Sequence, residues 1–159
     1  MSKAFGRRAL LTLIPGLVVA LVMVIGYKAW PLVFAPEDVQ ILPEPGCDLQ
    51  RARCVATLPD GKIDLEFLTR PIPLARPFRV ALATSGIAPS RVELDFAGVE
   101  MNMGENRAVL RAVGGGQYAA DITLPVCITG PMKWRATVIL HARNRRLSIP
   151  YEFSTGEVH

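Results

Sequence analysis

The sequence predicts an all-β protein, an immunoglobulin-like β-sandwich carried on one N-terminal transmembrane helix. Three observations predict it. Ala9 to Gly26 (ALLTLIPGLVVALVMVIG) contains no charged side chain. Beyond Glu37, short segments alternate apolar and polar residues with period two, which suits strands that bury one face. Turn residues punctuate those segments at regular intervals, and no stretch after residue 37 has a helical period of 3.6.

The apolar run sets the topology. Eighteen residues at about 1.5 Å each span about 27 Å, close to the hydrocarbon thickness of a bilayer. Tyr27, Lys28 and Trp30 come next and suit an interfacial belt, and Pro15 is tolerated within a membrane helix. Lys3, Arg7 and Arg8 precede the run, so the positive-inside rule holds residues 1–8 in the cytoplasm and exports the chain beyond the helix. Val33-Phe34-Ala35 offers small residues for signal cleavage, but Pro36 would come directly after the cut and disfavours processing. Residues 9–30 are therefore expected to be an uncleaved signal anchor in a bacterial inner membrane, passing once.

Charge supports this division. The chain of 159 residues carries 18 Lys and Arg against 14 Asp and Glu, a formal net charge of +4. Every acidic residue lies at or beyond Glu37, and Lys3, Arg7, Arg8 and Lys28 account for the whole excess. The exported part is formally neutral, so the basic balance reports topology and not a nucleic-acid surface.

Residues 31–46 carry Pro31, Pro36, Pro43 and Pro45 and are expected to be an extended spacer. Residues 47–159 are the predicted periplasmic sandwich domain. Cys47 and Cys54 open it, and in an oxidising compartment this pair is expected to form a local structural disulfide. Closing so short a loop stabilises by about 2–3 kcal/mol in the chain-entropy model. A C-x6-C copper site and a thiol–disulfide exchange pair are the competing readings. Pro59-Asp60-Gly61 is a turn between Cys54–Leu58 and Lys62–Leu68. Phe78–Leu82, Val92–Phe96, Ala108–Leu124 turned at Gly114-Gly115-Gly116, Lys133–His141 and Leu147–Phe153 continue the alternation. Seven or so strands over about 120 residues suit two packed antiparallel sheets.

The chemistry-bearing stretch is Glu100 to Trp134. Met101 and Met103 lie two apart, so on an extended backbone both thioethers point to one side. The hairpin beyond them can return Cys127 and Met132 toward the pair. Soft sulfur donors of this kind select Cu(I) over harder metals. In that arrangement Met101 and Met103 are thioether ligands, Cys127 the thiolate anchor and Met132 the closing ligand. Trp134 packs beside the site, and His141 is a weaker candidate for Cu(II). The plainer reading is that methionines fill gaps in a core and Cys127 is a buried inert thiol.

Enzymatic constellations are missing from the sequence. His141 and His159 are the only histidines, and there is no G-x-S-x-G, P-loop, dinucleotide fingerprint or H-E-x-x-H. Glu93 and Asp95 alternate with Val92, Leu94 and Phe96, which places them on an expected solvated face. An enzyme is not expected.

Gly98-Val99-Glu100-Met101-Asn102-Met103-Gly104, then Leu110, Gly116-Gln117-Tyr118 and Gly130-Pro131-Met132-Lys133-Trp134, resembles the YtkA-like and FixH-like family. Those are small membrane-anchored periplasmic domains with an immunoglobulin-like sandwich, tied to copper handling and the assembly of haem-copper oxidases. Cys127, three residues before Gly130, departs from the family pattern, where that strand commonly ends in methionine or another apolar residue. The resemblance implies copper as cofactor and the inner membrane and a haem-copper oxidase, or its assembly factors, as partners. A metal-free interaction module docking onto an inner-membrane complex is the alternative, in which Met101 and Met103 form an adaptable apolar contact.

Overall fold

A computed structural model describes residues 2–33, 37–101, 104, 106–125, 132–143 and 145–155, with side chains described from Ile14 to Trp30 and from Glu37 onward. The chain divides into two compact units, Met1–Pro36 and Glu37–His159.

The first unit is one helix, α1 (Ser2–Val33). Its apolar side chains are distributed all round with no amphipathic stripe. Every described residue from Ile14 to Lys28 is exposed, including Leu17, Met23 and Ile25. Among the described residues no helix is long and apolar enough to cross a membrane. The expected 9–30 anchor lies within α1, but the side chains of Ala9 to Leu13 fall outside the described residues.

The second unit is all-β. Among the described residues nine strands form one curled mixed sheet: β1 (Glu37–Gln40), β2 (Cys54–Leu58), β3 (Gly61–Phe67), β4 (Pro77–Ser85), β5 (Arg91–Gly98), β6 (Asn106–Gly114), β7 (Gln117–Thr123), β8 (Met132–Ala142) and β9 (Arg145–Thr155). Their order across the sheet is β1-β9-β8-β5-β6-β7-β4-β3-β2. β6 is the hinge of this order. Its first half, Asn106 to Leu110, pairs with β5, whereas Arg111, Ala112 and Gly114 pair with β7 through a bulge. A bulge bends a strand and raises its twist, so one strand serves both halves of the sheet.

The curl brings the halves face to face over one core. Phe67 on β3 lies 5.5 Å from Phe153 on β9 and 6.2 Å from Phe96 on β5, ring centre to ring centre. Neither strand pairs with β3, whose neighbours are β2 and β4. Phe78 completes the cluster at 5.4 Å from Phe67, edge to face, a geometry that suits the ring quadrupoles. The alternation expected from the sequence appears as burial: Ile63, Leu65 and Phe67 are buried on β3, and Met132, Trp134, Ala136 and Val138 on β8.

Two features differ from the expected pattern: the strands form one curled mixed sheet where two packed antiparallel sheets are expected, and the expected spacer contains a strand. Glu37–Gln40, within the expected spacer, is a strand parallel to β9, with Glu37 opposite Arg145 and Gln40 opposite Ser148. This segment has no apolar alternation of its own, so only its distant partner makes it a strand. Beyond it, the chain leaves β9: Ile41 N–H donates to Ser148 O at 2.9 Å, and Glu44 N–H donates to Val55 O on β2 at 3.2 Å. The segment between them therefore straps one half of the sheet to the other. Cys47 and Cys54 are disulfide-bonded with Cα atoms 5.5 Å apart, which fastens the strap to the start of β2.

Gln50 closes the same side. Its Nε2 donates to Ser154 O at 2.6 Å, and its Oε1 accepts from Ile72 N–H at 3.2 Å. One side chain thus joins β9 to the connection between β3 and β4. The β6–β7 turn docks in a similar way, with Gly116 O accepting from Thr84 N–H at 2.8 Å and from Thr84 Oγ1 at 3.1 Å. At Gly116 φ is +75° and a Cβ would come within 2.8 Å of Thr84 O, so only glycine fits this approach.

Tyr151 is buried on β9, and its hydroxyl has no hydrogen-bond partner among the described residues. Burial, reinforced by the negative charge of Asp64 and Glu44, raises its pKa above the ordinary 10.0. Above pH 10 the unfolded phenol loses its proton while the folded one keeps it, so stability falls as pH rises. Tyr151→Phe should remove that alkaline loss and, because no hydrogen bond is broken, leave neutral-pH stability equal or higher. Denaturant unfolding of the full chain at pH 7 and 10.5 checks both. Phe67→Ala, in contrast, should cost about 3–5 kcal/mol in the same assay.

Candidate functional site

The strand register sorts the domain into two ends. At one end lie Glu37, the start of β5 at Arg91, and the β8–β9 turn, since Arg91 pairs with His141 and Glu37 with Arg145. The Gly114–Gly116 turn and the Gly61 turn lie at this end too, because β4 closes there at Ser85. At the other end lie the connections β3–β4, β5–β6 and β7–β8. Gly98 pairs with Trp134, and Val99 N–H donates to Lys133 O at 2.9 Å. The backbone that continues to Met101 therefore starts beside the backbone that begins β8 at Met132.

Of the expected sulfur ligands, Met103 and Cys127 lie outside the described residues. Met101 is 45 % exposed, and Met132 is 5 % exposed, packed in the core cluster. The two stand at the same end of paired strands but in different surroundings. Trp134 comes two residues after Met132 on the same face of β8, fully buried, and its Nε1 donates to Thr155 Oγ1 at 2.9 Å. Among the described residues no group of three or more His, Cys, Asp or Glu could hold a metal ion.

His141 is at the wrong end to join them. It lies nine residues beyond Met132 on β8, about 30 Å away at about 3.3 Å per residue. Its Nε2 sits 3.5 Å from Glu93 Oε2.

Glu93 is the residue that sequence reasoning misplaced. It faces away from the core, between Val92 and Leu94, yet it is 5 % exposed instead of solvated. Arg91 Nε lies 2.6 Å from one of its oxygens, while Arg107 Nη1 at 3.7 Å and His141 approach the other. Asp95, two residues on, is partly exposed and 3.8 Å from Arg107 Nε. The signal was present in outline: Arg91 and Glu93 share a face by period two, and long arginine stems can cover a short acid. Its partners on β6 and β8 are set only by the sheet order. A buried carboxylate needs such partners, since an unpaired buried charge is costly. The cluster is a structural knot that ties β5, β6 and β8 on the outer face.

Glu93→Gln should therefore destabilise the domain by about 1–3 kcal/mol, because Arg91, Arg107 and His141 lose their common carboxylate. Asp95→Asn should cost less than about 1 kcal/mol, as an exposed pair. Chemical denaturation of both variants in low and high salt checks the ranking.

No family model matches the chain, and no curated protein or solved structure is significantly similar to it.

Proposed function

We propose that this chain is a membrane-anchored periplasmic accessory protein that binds Cu(I) through methionine and cysteine sulfur and supports haem-copper oxidase assembly or copper handling. The observation that carries the reading is the β5–β8 register, which starts the Met101 segment and the Met132 strand side by side. The donor chemistry suits Cu(I), a soft ion that accepts thioethers and thiolate. Met101, Met103, Cys127 and Met132 would hold it, with Trp134 limiting water. The resemblance to the YtkA-like and FixH-like family points the same way, and an immunoglobulin-like sandwich is the finer reading of the curled sheet.

The anchor belongs to this proposal. A helix that exposes apolar side chains on every side is poorly suited to water, and Lys3, Arg7 and Arg8 precede it as the positive-inside rule requires. Within the second unit, β1 pairs with β9 beside the β8–β9 turn, and the connections that carry Met101 and lead to Met132 lie at the other end of β9.

A second reading has its own observation. Met132 is built into the core while Met101 is exposed, an arrangement that a metal-free docking module would also have. Titrating the full chain in detergent with Cu(I) under a competing chelator separates the two. The copper reading expects one Cu(I) per chain, with loss of at least about tenfold in affinity for Met101→Leu and for Cys127→Ala. Binding unchanged in the combined Met101→Leu, Met103→Leu, Cys127→Ala variant sinks it. Without reductant, thiol labelling of the folded chain should modify Cys127 alone, and Cu(I) should protect it.

A further inference from the structure

β1 pairs with Arg145 to Ser148 only, a small part of the eleven-residue β9. From Pro150 onward that side of β9 has no neighbouring strand among the described residues. Backbone groups on a strand alternate in direction. Ser148 O faces β1, because it accepts from Ile41 N–H, so Pro150, Glu152 and Ser154 face the same way. Pro150 has no N–H, and Gln50 Nε2 occupies Ser154 O. Pro150 O, the N–H and C=O of Glu152, and Ser154 N–H remain without a strand partner.

The space beside them is kept open by the strap. It diverges from β9 after Ile41 to reach Val55, leaving two adjoining cavities of about 770 and 630 Å³. Cys47 and Glu152 line both. Charge on the walls is uneven. Arg51 pairs with Asp48 at 3.2 Å, Arg70 with Glu66 at 3.4 Å, and Glu152 with Arg135 at 2.8 Å. Lys133, on the strand next to β9, lines the second cavity and makes no ion pair among the described residues.

We propose that this slot takes an extended segment of a partner protein, which adds as a strand to β9 at Glu152–Ser154, sets an uncharged residue opposite Glu152 and places one carboxylate opposite Ser154, against Lys133. Main-chain hydrogen bonds to a sheet edge supply affinity in this mode, and side-chain pockets supply selectivity. A second copy of this chain fits poorly. A two-fold β9–β9 pairing about Glu152 would set that residue against itself, and like charges directly opposite are destabilising. The surface uses none of the four expected sulfur ligands, although Lys133 directly follows Met132, and the proposal does not rest on copper binding.

The test uses the full chain in detergent micelles with a metal chelator present, so neither copper nor membrane insertion affects the outcome. The probe is a synthetic eight-residue threonine peptide with one central glutamate, at roughly millimolar concentration, as expected for an unoptimised strand. Hydrogen exchange at Glu152 and Ser154 should slow by roughly tenfold on its addition. The same peptide with lysine for glutamate, or with N-methylated backbone, should give no protection. Lys133→Glu, an exposed position that leaves the fold intact, should reverse the preference to the lysine peptide. No protection at Glu152 and Ser154, equal protection by both peptides, or protection at Val55 and Thr57 on β2 instead overturns the proposal. Concentration-dependent protection without peptide overturns it too, in favour of a second copy.

Discussion

The packing of Phe67 against Phe96 and Phe153 is the contact on which the second unit depends. It joins β3 to two strands that never pair with it, so it exists only because the sheet curls over itself. β6 makes the curl possible by pairing with β5 along one half and β7 along the other. Without that change of partner the apolar faces of the two halves would each lie against water. Burying them against one another is the main driving force for the fold.

A curled sheet has an open side, and this protein closes it with covalent and polar devices instead of strands. The strap from Ile41 to Cys47 hydrogen-bonds to β9 at one end and β2 at the other, and the Cys47–Cys54 disulfide holds it. Gln50 adds a side-chain bridge between Ser154 and Ile72. These ties are sparse compared with a full ladder, and the cavities along β9 are the result. The same economy leaves Tyr151 with an unsatisfied hydroxyl within the core, among the described residues. On the outer face Glu93 is bound from three strands, whereas Arg146 Nε, 2.8 Å from Asp38 Oδ1 but not aligned with it, has no hydrogen-bond partner among the described residues either.

Topology then divides the labour between the two ends of the domain. The chain enters at the β8–β9 turn, where tight glycine turns hold strands together. The longer connections, which carry Met101 and lead to Met132, gather at the opposite end. Function concentrates on such connections because a rigid scaffold can position them while their backbones remain free of ladder constraints. Met132 marks the boundary: it is the first residue of β8 and already belongs to the core.

The strands from Cys54 onward are written in the sequence, because each buries one face and so carries its own period-two pattern. Cys54–Leu58, the Pro59-Asp60 turn, the Gly114–Gly116 turn and the long β8 and β9 were all legible for that reason, as was the helical run at Ala9–Gly26. Pairing between distant segments was not legible. β1 carries the charged sequence Glu37-Asp38-Val39-Gln40, which has no pattern until Arg145 to Ser148 stand beside it. Glu93 looked solvated because its own strand says nothing of Arg107 and His141, which the sheet order brings alongside. His141 was the weaker candidate ligand, for Cu(II), yet the length of β8 sets it far from Met132. Local periodicity decides which residues form a strand and which face they bury. Which strand lies next to which is a tertiary choice, made by the summed packing of residues far apart in the chain.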